Sequence, residues 1–229
     1  MTSSFDRDIE SYREAVNTSI GWSGADVDFA ARLKADDLVA MLARLLRSPG
    51  EARVLDVGCG PGLTDALLVG RVGELHGVDV SQPLLDAAAK ANPSVRYHRS
   101  DGDTLPLDDG FVDASFAICV IHHVEPGRRA AFVREMVRVT RSGGLVALYE
   151  HNPFNPITRL AVSRCEFDEG VQLLRPAEVK RRLGGAGAPI VESRSIGFFP
   201  WGGDAFRHIE RRLAWLPAGA QFVVAGRVP

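Results

Sequence analysis

The stretch Val54-Leu-Asp-Val-Gly-Cys-Gly-Pro-Gly-Leu-Thr64 decides the fold of this 229-residue chain. An apolar run over 52–57, typical of a buried strand, passes directly into glycines at 58, 60 and 62. Glycine lets the backbone approach a ligand closely, and the helix predicted over 62–69 begins with unpaired N–H groups. The stretch therefore predicts a strand, a ligand-binding turn and a helix, with a tight turn that binds nothing as the alternative.

Two details indicate which ligand the turn suits. NAD-binding folds share the glycine pattern, but their fingerprint requires another glycine at position 63, where this chain has Leu63. Asp56 comes just before the turn, where a carboxylate disfavours a pyrophosphate and suits a sulfonium or ammonium group. A nucleotide-sugar or NAD-dependent enzyme stays open as the competing interpretation.

Strand-like runs then alternate with helical segments, which predicts a parallel sheet covered on both faces. The last two strands are expected to form an antiparallel pair at the sheet edge. An amphipathic helix over 28–47 precedes the first strand. The further strands are predicted at 74–80, 95–98, 112–121, 145–149, 190–196 and 221–226, and the further helices after Ser81, at 128–140 (ending at Gly143-Gly144), 176–183 and 204–213.

Two acidic positions follow neighbouring strands. Asp79 ends the second strand, 21 residues after Gly58, where its carboxylate could accept from both hydroxyls of a ribose. Asp101-Gly102 follows the third strand and could accept from an adenine amino group, although Asp-Gly is also a common turn pair. A surface role without a ligand is the alternative for Asp79.

The run from Val54 to Glu150 resembles the class I S-adenosylmethionine (SAM)-dependent methyltransferases, particularly the small-molecule and ubiquinone-type group. This resemblance implies a Rossmann-like seven-stranded sheet of order 3-2-1-4-5-7-6 with the last strand antiparallel. It also implies that Asp79 binds ribose, that Val80 packs on adenine, that Asp101-Gly102 holds the adenine edge, and that Ala117 and Ile118 line the methionine end. An N-terminal helix usually covers the cofactor, with Tyr12, Trp22 and Lys34 as candidates. The matching segments are LDVGCGPG (55–62), GVDVS (77–81), SDGDTLPLDDGFVDASF (100–116), VIHHV (120–124) and RSGGLVALYE (141–150).

Methyl transfer to a hydroxyl needs an aligned acceptor and a group that takes its proton. His122 and His123 end the fourth predicted strand, and His151 follows the fifth, all at the carboxyl edge where such folds bind ligands. We therefore expect His123 and His151 to act as general base or to position the acceptor. Each could instead only hydrogen-bond a nearby carbonyl.

We expect two segments outside the strand–helix alternation to form the acceptor pocket. They are 151–175 and Phe198 to Trp201. Arg159, Arg164 and Arg175 could clamp an anionic group there, or could be solvated or paired with acids such as Glu166 and Asp168. The aromatic segment could instead pack under the helix at 204–213.

The composition is that of an ordinary cytoplasmic globular protein. A net charge of −2 argues against a dedicated nucleic-acid binder, and three widely spaced cysteines argue against a disulfide framework or zinc site. We find no signal peptide and no apolar run long enough to span a membrane. The chain is expected to form one methyltransferase domain: a helical lid (1–50), a SAM-binding core (52–150) and an acceptor-side region (151–229). It would use SAM, release S-adenosylhomocysteine, need no metal and act on a small metabolite or natural-product intermediate. A SAM-binding partner protein without turnover, or a protein or RNA methyltransferase, is the alternative.

Overall fold

A seven-stranded sheet forms the centre of the protein, as shown by a computed structural model that describes residues 9–46, 48–199 and 204–229. The strands are β1 (Arg53–Val57), β2 (Glu74–Asp79), β3 (Arg96–Arg99), β4 (Val112–Ile118), β5 (Thr140–His151), β6 (Ile190–Ile196) and β7 (Gln221–Arg227). Their order in the sheet is β3-β2-β1-β4-β5-β7-β6, and β7 runs antiparallel to both β5 and β6. The predicted fold and strand order are confirmed.

Helices cover both faces of this sheet. They are α1 (Ile9–Ile20), α2 (Val27–Leu45), α3 (Asp65–Leu68), α4 (Gln82–Ala91), α5 (Arg129–Val139), α6 (Pro156–Val162), α7 (Pro176–Gly185) and α8 (Asp204–Leu213). On one face, α2 contributes Leu38, Met41 and Leu42 to a buried apolar cluster with the central strands. On the other, α5 and α7 pack a second cluster against the sheet. None of the helices in the described ranges is both long and apolar enough to cross a bilayer.

The structure corrects three of the predicted boundaries. The helix predicted to end at Gly143-Gly144 ends at Val139, and the long strand β5 already begins at Thr140. The helix predicted over 62–69 is only the four-residue α3. Strand β4 ends at Ile118 rather than Ile121, because Cys119 takes a left-handed conformation with φ of 56°.

Helix α6 is not among the predicted elements, because the prolines in its segment indicate an irregular connection. Pro156 occupies the first helical turn, where proline costs no hydrogen bond. The side chain of Asn155 caps the helix by accepting from the N–H groups of Ile157 and Thr158.

Gly62 is needed for packing beneath the glycine turn. It has φ of 73°, and a Cβ there would lie 2.6 Å from both Asn92 Nδ2 and Tyr97 Oη. Gly60 has φ of 53°, and a Cβ on that residue would meet no atom within 4 Å among the described residues.

We therefore expect Gly62→Ala to lower the free energy of unfolding by at least about 2 kcal/mol, from backbone strain and overpacking together. Gly60→Ala, the matched control, carries only the backbone strain and should cost less. Urea unfolding of both variants checks this. Equal losses for the two would contradict the assigned role of Gly62.

Candidate functional site

A cavity of about 580 Å³ opens along the carboxyl ends of the parallel strands. This is the edge at which open α/β sheets bind ligands, and the volume lies in the range of small-molecule sites. The glycine turn after β1 and the ends of β2 and β4 line one side. Helices α1 and α2, with part of α6, line the other.

Asp79 and the glycine turn are held together at one end of this cavity. The Asp79 carboxylate accepts from Gly60 N–H at Oδ2 and from Ser81 N–H at Oδ1, each at 2.9 Å. Burial raises the pKa of Asp79, and these backbone bonds oppose the shift. The carboxylate thus sits fixed over a turn with open space above Gly60, able to accept further hydrogen bonds from a ligand.

A buried acid and a cation without a hydrogen-bond partner lie beside the turn. Asp56 lines the cavity, and its Oδ1 has no hydrogen-bond partner among the described residues. Burial, followed by the charge of Asp65, raises the pKa of Asp56 well above its usual range, and the charge of Lys34 opposes this. Lys34 also lines the cavity and makes no hydrogen bond or ion pair within the described part of the chain. The pair suits a ligand that carries both an ammonium and a carboxylate.

Most of the predicted cofactor residues meet at this cavity. Those that line it are Asp56, Gly58, Gly60, Asp79, Val80, Gly102 and Ile118. Gly62 and Ala117 do not: the first packs against Asn92 and Tyr97, and the second is buried in the core. Asp101 is exposed and accepts from the N–H groups of Asp103 and Thr104, and these two line the cavity in its place.

Three histidines and two acids meet at the other end. His122 is buried and bonds Glu150 through Nδ1 at 2.6 Å and Asp168 through Nε2 at 3.2 Å. His123 Nε2 lies 3.3 Å from the same Asp168 oxygen, and His151 Nε2 lies 3.9 Å from the other. His123, His151 and Asp168 line the cavity, whereas His122 stands behind them.

Electrostatics divides the three rings into two kinds. Burial disfavours the charged form of His122, but the Glu150 and Asp168 carboxylates outweigh it and raise its pKa to about 10. Burial and the positive charge of His122 lower the pKa of both His123 and His151 to about 4. A charged His122 and two neutral rings therefore coexist at neutral pH.

The sequence indicates Asp168 only as a partner for nearby arginines and gives no sign of its place among the histidines. Asp168 follows the short α6 and reaches β4 and β5 only through the tertiary fold. Its Oδ atom and one nitrogen from each of His122 and His123 lie within 4.8 Å of one another, a spacing that would also admit a metal ion. The predicted absence of a metal therefore stays a prediction.

Apolar side chains line much of the rest of the cavity. Those from α1 and α2 are Val16, Ile20, Val27, Ala30 and Ala31, and those from α6 and its following loop are Ala161, Val162, Cys165 and Phe167. Part of the segment 151–175 thus lines the cavity, and its contact with an acceptor stays a prediction. Phe198 and Phe199 do not line the cavity; their N–H groups bond Glu210 instead, and Trp201 lies outside the described residues.

The predicted arginine clamp is not formed at the cavity. Arg164 stacks over the Trp22 ring and Arg175 over the Phe154 ring, and Arg159, Arg164 and Arg175 are absent from the cavity lining. Tyr12 lies where side chains are not described. Of the two lid candidates whose side chains are described, Lys34 lines the cavity and Trp22 does not.

Several known proteins that resemble this chain are named methyltransferases. Residues 55–148 match the family model described as "Methyltransferase domain". An uncharacterized methyltransferase of Mycobacterium sp. (strain JLS) is 41% identical over 119 residues, which are 50% of this chain and 46% of the relative. The chain thus spans about half the length of these curated relatives.

Solved structures share the fold over nearly the whole chain. A SAM-dependent methyltransferase from Thermotoga maritima covers 98% of each chain with a TM-score of 0.67 at 18% identity. The [4+2]-cyclase SpnF covers 85% of this chain and 81% of its own, with a TM-score of 0.62 at 20% identity. Residues 55–148 therefore match a methyltransferase domain model, and the chain shares the Rossmann-like fold of these structures.

The division of charge among the histidines is directly measurable. We expect the nuclear magnetic resonance signals of His122 to stay those of an imidazolium from pH 6 to pH 8, because its pKa is about 10. Those of His123 and His151 should stay neutral over the same range, because their pKa is about 4. Three rings that all titrate near the ordinary value of about 6.5 would contradict the assigned network.

Proposed function

We propose that this protein transfers a methyl group from SAM to a hydroxyl of a small, largely apolar acceptor. One observation carries the proposal: a single cavity joins the glycine turn and Asp79 at one end to His123, His151 and Asp168 at the other. When bound, SAM supplies a methyl group that is attached to a positively charged sulfonium sulfur. Once the methyl group is transferred, that sulfur is a neutral thioether. The acceptor must therefore be aligned and must lose a proton.

The residues at the turn fit SAM. Asp79 accepts from the ribose hydroxyls, Val80 packs on the adenine, and the backbone of Gly102 and Asp103 faces its polar edge. Asp56, which is buried and lines the cavity, accepts from the ammonium group of the methionine part. Lys34 from α2 binds the carboxylate of that part.

At the other end, His123 takes the hydroxyl proton. Its ring lines the cavity and is neutral at physiological pH, and Asp168, 3.3 Å from Nε2, stabilises the imidazolium that forms. The two negative charges of Glu150 and Asp168 exceed the single positive charge of His122. Protonation of His123 therefore brings the net charge of the cluster closer to zero. His151 positions the acceptor oxygen, and the apolar side chains of α1, α2 and α6 exclude water.

A second candidate function is SAM binding without methyl transfer. The fold alone does not decide between the two, because a structural neighbour of similar likeness is a [4+2]-cyclase. What favours transfer is the neutral histidine beside a carboxylate at the acceptor end, which a cofactor-holding scaffold does not need.

Cofactor identity is tested first, by calorimetry. We expect SAM and S-adenosylhomocysteine to bind with comparable affinity and NAD to bind far more weakly. Asp79→Asn should weaken SAM binding by about 1.5–3 kcal/mol, roughly the value of one hydrogen bond to a charged group. The matched control Asp101→Asn should change SAM affinity less than about twofold, because Asp101 is exposed outside the cavity.

Tighter binding of NAD than of SAM would overturn the assignment. Equal losses in Asp79→Asn and Asp101→Asn would show that Asp79 does not contact the ribose.

Turnover is tested with methyl-labelled SAM, offered to a panel of hydroxylated aromatic compounds and to an extract of the native host. We expect His123→Gln to lower kcat by about 10²- to 10⁴-fold, the usual contribution of a positioned base. SAM affinity should stay unchanged, since His123 lies at the acceptor end. The control is His98→Gln, which removes a half-buried histidine outside the cavity.

Adding a chelator to the assay distinguishes proton transfer to His123 from catalysis by a bound metal ion. If His123 acts as a base, turnover is unaffected by metal removal. Loss of activity that a divalent cation restores would replace the base with a metal ion. Full activity in His123→Gln would remove this residue from the reaction.

A further inference from the structure

Large exposed apolar side chains gather on the acceptor side of the protein. Phe154, Ile157 and Leu160, from α6 and the turn before it, are 56%, 54% and 41% exposed. Trp22, after α1, is 46% exposed, and Trp215, after α8, is 78% exposed. We call these five residues the apolar rim.

Contacts between the segments bring the parts of the rim near one another. Arg164, two residues beyond α6, stacks on Trp22. The side chains of Asn152 and Asn155 donate to the carbonyls of Pro217 and Ala218, which brings the chain after Trp215 against the start of α6. Large contiguous apolar patches on folded proteins mark interaction sites.

Five arginines are interleaved with the rim. Arg159 and Arg164 lie on and beside α6, in a stretch from His151 to Cys165 that contains no aspartate or glutamate, and Glu166 and Glu169 follow this stretch. Arg175 stacks on Phe154, and Arg211 and Arg212 end α8. The whole chain, in contrast, carries a net charge of −2. Exposed tryptophan, phenylalanine and leucine with interleaved arginine is the composition that lies in the interface of anionic bilayers.

The rim also adjoins the wall of the cavity. Ala161 and Val162 of α6 line the cavity, while Ile157 and Leu160 of the same helix are exposed.

We infer that the apolar rim binds the surface of an anionic phospholipid bilayer. The side chains of Phe154, Ile157 and Trp215 enter the interface, and the surrounding arginines contact the lipid phosphates. The inference goes beyond the proposed function, because binding to a bilayer requires no turnover. With the proposed function, it assigns the acceptor to hydroxyl compounds that partition into membranes.

The test is flotation of the full chain with vesicles of phosphatidylcholine alone or mixed with phosphatidylglycerol. We expect binding to the mixed vesicles, weaker binding to phosphatidylcholine alone, and release as salt increases, because salt screens the arginine contacts. The double variant Phe154→Ser and Ile157→Ser should lose at least about tenfold in vesicle affinity, since each change removes roughly one inserted apolar side chain.

Matched controls separate the rim from general surface hydrophobicity. Val69 and Val191 are 43% and 41% exposed on other parts of the protein, so the double variant Val69→Ser and Val191→Ser should bind vesicles normally. Unchanged thermal melting of both double variants establishes that each is folded. Arg159→Gln with Arg164→Gln should reduce the preference for phosphatidylglycerol.

Failure of wild-type protein to float with either vesicle would overturn the inference, as would equal losses in the rim and control variants. Sedimentation velocity provides the remaining outcome. A dimer that only the rim variant converts to a monomer, without vesicle binding, would assign the rim to a second copy of the chain. SAM binding is measured in parallel, so a failure of the proposed function would be seen separately.

Discussion

The buried ion pair between His122 and Glu150 is the constraint on which the acceptor end depends. It joins the loop after β4 to the end of β5 at 2.6 Å, and Asp168 closes it from the loop after α6. A buried charge is stable only when it is paired and hydrogen-bonded, so the three segments must stay together. The same positive charge, together with burial, keeps His123 and His151 neutral, and the Asp168 and Glu150 carboxylates oppose this lowering of their pKa.

The cofactor end depends on backbone geometry rather than on buried charge pairing. Asp79 binds Gly60 and Ser81 through their N–H groups, which ties the end of β2 to the turn after β1. Gly62 lets the turn lie against Asn92 and Tyr97, and Gly60 leaves open space toward the cavity. The two ends thus depend on different features. The cofactor end depends on the backbone conformation of the glycine turn, and the histidine end depends on the positive charge of His122.

Local patterns predicted the part of the site that one strand and one turn create. The glycine stretch and Asp79 follow from alternation and spacing, the strand order follows from the resemblance to a known family, and the structure bears out the fold. Asp168 could not be predicted, because its partner His122 lies 46 residues away and no periodicity marks it. Asp101 is the opposite case. Its place after a strand predicts a contact with the ligand, but a common Asp-Gly turn holds its side chain outside the cavity. Phe198 and Phe199 suggested a pocket wall by composition alone, while the helices α1 and α2 supply that wall.

The central claim is that one cavity presents a bound SAM to the histidine cluster. A crystal structure of the protein with S-adenosylhomocysteine tests it most directly. The account predicts the ribose hydroxyls on Asp79, the adenine against Val80, and the sulfur facing His123 and His151 across the cavity. A ribose bound away from Asp79, or a sulfur that faces away from both histidines, would contradict it.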